Sequence, residues 1–198
     1  MKLLDYESLR NDILKDLTRI EKIRDKHEKQ KQYNEVNEKI RKLNELFCLE
    51  REQNKQAVSD DMQKRGVVAH TYDLDAGTLK IRWEGIFTNA LSQDEKKQIY
   101  LQQFLWHIFS YEKVPHLKND MAREAFNKIP KSTVIGFYQH NETVFLYENA
   151  ALLRDTDFDL EDDFYLVDPD FHWTYTVTHE KGLCGPYFSE PPKAAPPE

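Results

Sequence analysis

An α+β fold is predicted by three features of the sequence. The first is a charged stretch from Leu3 to about Gln56 without Gly or Pro, whose apolar residues recur at spacings of three and four. The second is Ser92 to Leu117, a dense apolar stripe that opens with capping-box spacing. The third is the chain after Ser132, where apolar and polar residues alternate between short turn sequences. Helices therefore come first, and an antiparallel sheet follows.

In the N-terminal stretch, Tyr6, Leu9, Ile13, Leu17, Ile20 and Ile23 form one run, and Tyr33, Val36, Ile40, Leu43 and Phe47 form another. Arg24 to Gln32 holds no apolar residue, so an antiparallel hairpin of two helices is preferred over a single rod, which stays the alternative. Residues 1–57 are read as a coiled-coil-like arm in which Ile13, Leu17 and Ile20 face Val36, Ile40 and Leu43. A stripe this narrow must bury itself, against the core, a second copy or a foreign partner. The arm is expected either to pair with the arm of a second copy, giving a homodimer, or to dock on a partner.

Residues 58–78 change texture and read as a linker, with an edge strand between Val67 and Leu74. Residues 79–188 form the globular domain. Leu79 to Leu91 returns to helical spacing despite Gly85, and Ser92 with Glu95 opens the central helix, which Pro115 ends. Its stripe is Ile99, Leu101, Phe104, Leu105, Ile108 and Phe109. A short helix from Asn119, its expected cap, to Lys128 is stopped by Pro130.

Strands follow at Thr133 to Gln139, Thr143 to Tyr147, Phe164 to Val167 and Phe171 to Thr178. The connections His140-Asn141-Glu142 and Asp168-Pro169-Asp170 have hairpin length and turn chemistry. In the last strand Phe171, Trp173, Tyr175 and Val177 alternate with His172, Thr174, Thr176 and Thr178, which predicts one buried and one wet face. The helices of residues 79–128 are expected to cover one face of this sheet. Residues 189–198 read as a flexible Pro/Ala tail.

Charge narrows the function classes. Residues 1–57 carry 14 Lys and Arg against 12 Asp and Glu, whereas residues 58–198 carry 14 against 23. An acidic globular part argues against direct nucleic-acid binding, which needs basic density to displace counterions, and favours a basic protein partner. No apolar run approaches the ~18–20 residues that span a bilayer, and only Cys48 and Cys184 are present. Reduced thiols, a cytoplasmic location and no membrane partner are expected.

Candidate chemistry is sparse. Asp155, Asp157, Asp159, Glu161, Asp162 and Asp163 alternate like a calcium loop, but Leu160 stands where the turn needs Gly and Leu166 where a bidentate Glu is required. The run is read as a solvated acidic face, and with His172 and Trp173 as the expected partner-binding surface. His107, His116, His140, His172 and His179 raise a metal site, of which His107, His140, His172 and His179 are the best ligand set. HExxH spacing and a CxxC pair are absent, so no ligand set is fixed. His179-Glu180 followed by Cys184 between Gly182 and Gly185 is the stretch most like an active-site loop, with His179 as base, Cys184 as nucleophile and nearby amides for an oxyanion. A structural loop with a packed cysteine is the plainer reading. No phosphate or dinucleotide glycine motif occurs, and no cofactor is expected.

The strings DEKKQIYLQQFLWHIFSYEKVPHL, FYQH, LYENA and FHWTYTVTHEKGLCGPYF, in that order, resemble a small domain of unknown function, family 4275, of Gram-positive bacilli. The resemblance spans about Leu79 to Phe188 and implies one intracellular α+β domain without an established activity. It supplies no catalytic set for Trp106, His107, His179 or Cys184. The leading expectation is a non-enzymatic interaction protein, such as an immunity protein or a phage or mobile-element inhibitor. A small hydrolase or transferase using Cys184 and His179, or a histidine-bound metal, is the alternative.

Overall fold

A computed structural model describes residues 3–191, with side chains from Glu7 onward. The chain divides into two compact units, Met1–Ala57 and Val58–Glu198. Tyr6 as a seam residue and the tail beyond residue 191 lie outside what is described.

The arm is a hairpin. α1 (Leu3–Ile20) reverses through residues 21–25 into α2 (Lys26–Lys64). Ile13, Ile20 and Val36 are buried, and Leu17, Ile40 and Leu43 pack against them as the paired stripes require. Lys39 Nζ lies 2.6 Å from Asp16 Oδ2 across the seam. The reversal comes earlier than the expected Arg24–Gln32, because Asp25 Oδ1 accepts the Glu28 amide at 2.8 Å and starts the second helix at once.

Residues 58–64 are the last turns of α2 rather than linker. Gly66, at φ 95°, ends the helix: its amide reaches Gln63 O and the Val67 amide reaches Met62 O, while Met62 and Val67 pack in the same cluster. The expected edge strand is β1 (Val68–Thr71). Asp75 then caps α3 (Ala76–Phe87) by accepting from the Thr78 amide.

The central helix is the main departure from the sequence reading. α4 (Gln93–Gln98) does carry the full Ser92–Glu95 capping box, but it stops after six residues, and α5 (His107–Ser110) is a single turn. Tyr100 at φ 53° and Glu112 at φ 53° close these helices with the hydrogen-bond pattern of a glycine C-cap: Leu101 N to Lys96 O, and Lys113 N to Ile108 O. The reason is tertiary. Gln139 Oε1 accepts the Leu105 amide at 3.1 Å and Tyr165 Oη accepts the Trp106 amide at 3.1 Å, so the sheet takes amides that a helix would have used. The stripe survives as burial: Ile99, Leu101, Leu105, Ile108 and Phe109 are buried, and Phe104 is half-buried.

β2 (Leu117–Lys118), α6 (Asp120–Lys128), β3 (Thr133–Tyr138), β4 (Val144–Glu148), β5 (Phe164–Val167), β6 (Thr174–Val177) and β7 (Tyr187–Ser189) complete the fold. Two 3-10 turns, Ala150–Leu152 and Asp155–Phe158, lie between β4 and β5. Asn119 does not cap α6 with its side chain; it sits at φ 55° and its amide is held by Pro186 O. The seven strands pair antiparallel in the order β1-β4-β3-β5-β6-β7-β2.

Both faces of the sheet are covered. α3 and residues 99–114 pack on Ile135, Phe137, Tyr165 and Val167, as expected. α6 takes the opposite face with the 3-10 turns and Met62, over Val134, Phe164, Leu166 and Tyr175. β6, expected to be half wet, is therefore buried throughout. Thr174 turns under α3, where its hydroxyl accepts from Trp83 Nε1 at 3.0 Å, and Trp83 in turn meets Phe87, Phe109 and Tyr165.

Gly136 in mid-β3 shows how close the packing is: a Cβ there would lie 2.5 Å from Phe164 Cζ. Gly136→Ala is expected to lower unfolding free energy by about 1–3 kcal/mol, as overpacked cores do, measured by urea titration.

Candidate functional site

The candidate site forms where residues 99–107 meet the ends of three strands. Gln139 and His140 follow β3, Asp163 precedes β5 and His179 follows β6. These four come from segments far apart in sequence, and strand pairing brings them to one end of the sheet.

The foundation is buried and polar. Tyr165 Oη donates to Gln139 Oε1 at 2.7 Å while accepting the Trp106 amide, and Gln139 Oε1 also accepts the Leu105 amide. Burial pushes the Tyr165 phenol well above its ordinary range, so it stays a donor. Asp163, in left-handed backbone at φ 49°, holds the next layer. Its Oδ1 accepts from Trp106 Nε1 at 2.9 Å, from the His179 amide at 3.2 Å and from His179 Nδ1 at 2.8 Å. A carboxylate on Nδ1 fixes the imidazole, directing Nε2 away from the carboxylate.

Around this foundation three imidazoles surround one phenyl ring. The Phe104 centroid lies 5.4 Å from His107, 5.2 Å from His140 and 5.0 Å from His179. Trp106 backs the group at 4.6 Å from His107 and 5.8 Å from His179. His107 Nδ1 donates to Tyr100 O at 3.1 Å, which leaves its Nε2 an acceptor when the ring is neutral. Tyr100 and Tyr111 stand 52% and 46% exposed beside it. The result is a rigid aromatic and imidazole patch, with His140 and His179 exposed.

The four-histidine ligand set does not assemble. His172 and His179 lie at opposite ends of β6, and His172 instead meets Asp168 Oδ2 at 2.8 Å. Among the described residues, the metal-competent donor atoms that come within 4.8 Å of one another in a group of three belong to Asp168, Asp170 and His172 in a turn where Asp170 and His172 are exposed. His116 packs on Phe109 and Tyr187.

Cys184 is paired with Glu180 and Tyr187 rather than with His179. His179 gives its Nδ1 to Asp163, while burial and then the adjacent Glu180 carboxylate push the Cys184 thiol up, the opposite of what a thiolate nucleophile needs. Cys184 instead lines a cleft of about 310 Å³ with Asn119, Arg123, Asp159, Thr178 and Lys181. Cys48 is exposed, and both cysteines are free.

The acidic run is solvated only in part, with Asp159 exposed and Glu161, Asp162 and Asp163 half-buried. Asp155 and Asp157 are buried: Asp155 accepts from Arg123 Nη1 at 2.7 Å and Asn127 Nδ2 at 2.6 Å, and Asp157 meets Arg65 Nη2 at 2.5 Å. Asp159 shares Arg123 at 2.8 Å, Glu161 accepts from Tyr138 Oη at 2.6 Å and Asp162 pairs with Lys181 at 3.0 Å. Trp173, expected at the surface with His172, is buried and stacks on Phe188 at 6.0 Å between centroids. Alternating acids look the same in sequence whether they face water or buried arginines; the arginines lie far away at 65 and 123.

For Asp155, burial alone would raise the carboxyl, but Arg123 and Asn127 outweigh it and the net direction is down. A carboxylate depressed in the folded state stabilises above its unfolded value of about 3.9 and loses that contribution as pH falls through the folded value. Stability is therefore expected to drop as pH falls below about 4, and Asp155→Asn to flatten that limb while lowering neutral-pH stability by roughly 3 kcal/mol. Denaturant titrations at stepped pH measure both. Asp163→Ala should strand the Trp106 indole and cost about 1–3 kcal/mol, with a change in tryptophan emission reporting the loosened indole.

A family model described as a domain of unknown function, DUF4275, matches residues 56–188. It starts before Leu79, taking in the last turns of α2 and all of β1. No curated protein and no solved structure matches. No helix among the described residues is long and apolar enough to cross a membrane. With two thirds of its length matched by that model, from the end of α2 through β7, the chain belongs to the DUF4275 family.

Proposed function

We propose that this chain is a non-enzymatic protein-binding module that neutralises or regulates a partner, in the manner of an immunity protein or a phage or mobile-element inhibitor. The observation that carries the reading is the patch of Phe104 with His107, His140 and His179 around it. Rigid aromatics on a pre-organised base lose little entropy on binding and make typical interface anchors. Acidic residues dominate the globular part, which favours a basic partner and speeds its approach. The arm offers a second surface, because its seam fully buries few residues and gains from further helices.

The enzymatic alternative keeps one supporting observation, the carboxylate on His179 Nδ1, which is how general bases are oriented. It lacks a nucleophile, since the Cys184 thiol is pushed toward its neutral form. The binding reading is tested by immobilising the full chain and a Phe104→Ala/His179→Ala variant against a low-salt lysate of the native host. A stoichiometric partner is expected on the parent chain, with at least about tenfold weaker capture on the variant. Capture of no stoichiometric protein, or equal capture by both, would refute the assignment of this patch.

A further inference from the structure

The two edges of the seven-stranded sheet are built differently. β2 has two residues, one of them Lys118, and short charged edges resist pairing with other chains. β1 has four residues, all exposed, and from Val68 to Tyr72 the sequence holds no acidic residue, Lys, Arg, Gly or Pro. None of the usual devices protects it.

The backbone of this edge faces outward at two residues. The Tyr72 amide donates to Val144 O at 2.8 Å, which makes these two a hydrogen-bonded pair. Alternation along the register places His70 opposite Leu146, and Val68 opposite Glu148, in the same class. Ala69 and Thr71 therefore direct their amides and carbonyls away from β4. No hydrogen-bond partner for them on that side is found among the described residues.

The side chains choose the occupant. Val68, His70 and Tyr72 share one face, and Val68 and Tyr72 are 46% and 40% exposed. A second β1 laid antiparallel about a twofold axis through His70 matches Ala69 to Thr71 of the other copy, and Thr71 to its Ala69. Four backbone hydrogen bonds result. The same register sets each Val68 beside the other copy's Tyr72, a β-branched and aromatic pair of the kind that stabilises sheets. No like charges meet, although each chain carries a net charge of -7.

We propose that β1 is a homodimer edge, joining the sheets of two copies into one through an isologous contact centred on His70. It is independent of the partner-binding patch. Light scattering of the full chain at micromolar concentration should give about twice the 23.6 kDa chain mass. Thr71→Pro removes an outward amide without touching the β4 ladder, and His70→Asp sets two carboxylates opposite each other. Both variants are expected to be monomers with unchanged circular dichroism. In a Cys48→Ser background, His70→Cys should form an interchain disulfide on oxidation, because a non-hydrogen-bonded pair holds Cα atoms about 4.5 Å apart. Val68→Cys should not cross-link. A monomeric full chain, a dimer that survives both variants, or a His70→Cys chain that stays uncross-linked would each overturn the proposal.

Discussion

Covering both faces of one antiparallel sheet is the constraint on which the globular unit depends. A sheet with one wet face could carry alternating strands and leave its threonines in water. Here α3 lies on one side and α6 on the other, so even β6 is buried and Thr174 must find a partner in the Trp83 indole. That single bond satisfies two buried polar groups under the largest fully buried side chain. Double coverage also explains the broken central segment. Residues 99–106 leave the helical path to lay Ile99, Leu101, Leu105 and Trp106 over the sheet, and Gln139 with Tyr165 absorbs the amides so released.

The same compensation creates the candidate site. Trp106 is held from behind by Tyr165 and from its indole by Asp163, and Asp163 is then the group that orients His179. His179 is thus the exposed end of a buried polar chain rather than a mobile surface side chain. Rigidity of this kind suits recognition, where ordering costs would otherwise weaken binding. Acids of the expected partner-binding run also do structural work: Arg123 and Arg65 tie the second 3-10 turn to α6 and to the end of α2. Removing either partner of such a pair leaves a buried charge uncompensated.

Hydrophobic periodicity, capping and turn chemistry determined much of this protein on their own. The arm's two stripes, the Ser92 capping box, the helix stopped near Pro130 and the strands from Thr133 through Val167 are local patterns, and local patterns fix local structure. The family resemblance spans about Leu79 to Phe188 and leaves the arm out. Tertiary structure alone decided what lies opposite each surface. Tyr100 and Glu112 adopt a glycine-like conformation without being glycine, α6 crosses to the second face, and Asp163 finds His179 and Trp106. Period and composition say which residues want burial or a charge partner, but the partner's identity depends on strand order, which brings residues 106, 139, 163 and 179 together through contacts that no local spacing encodes.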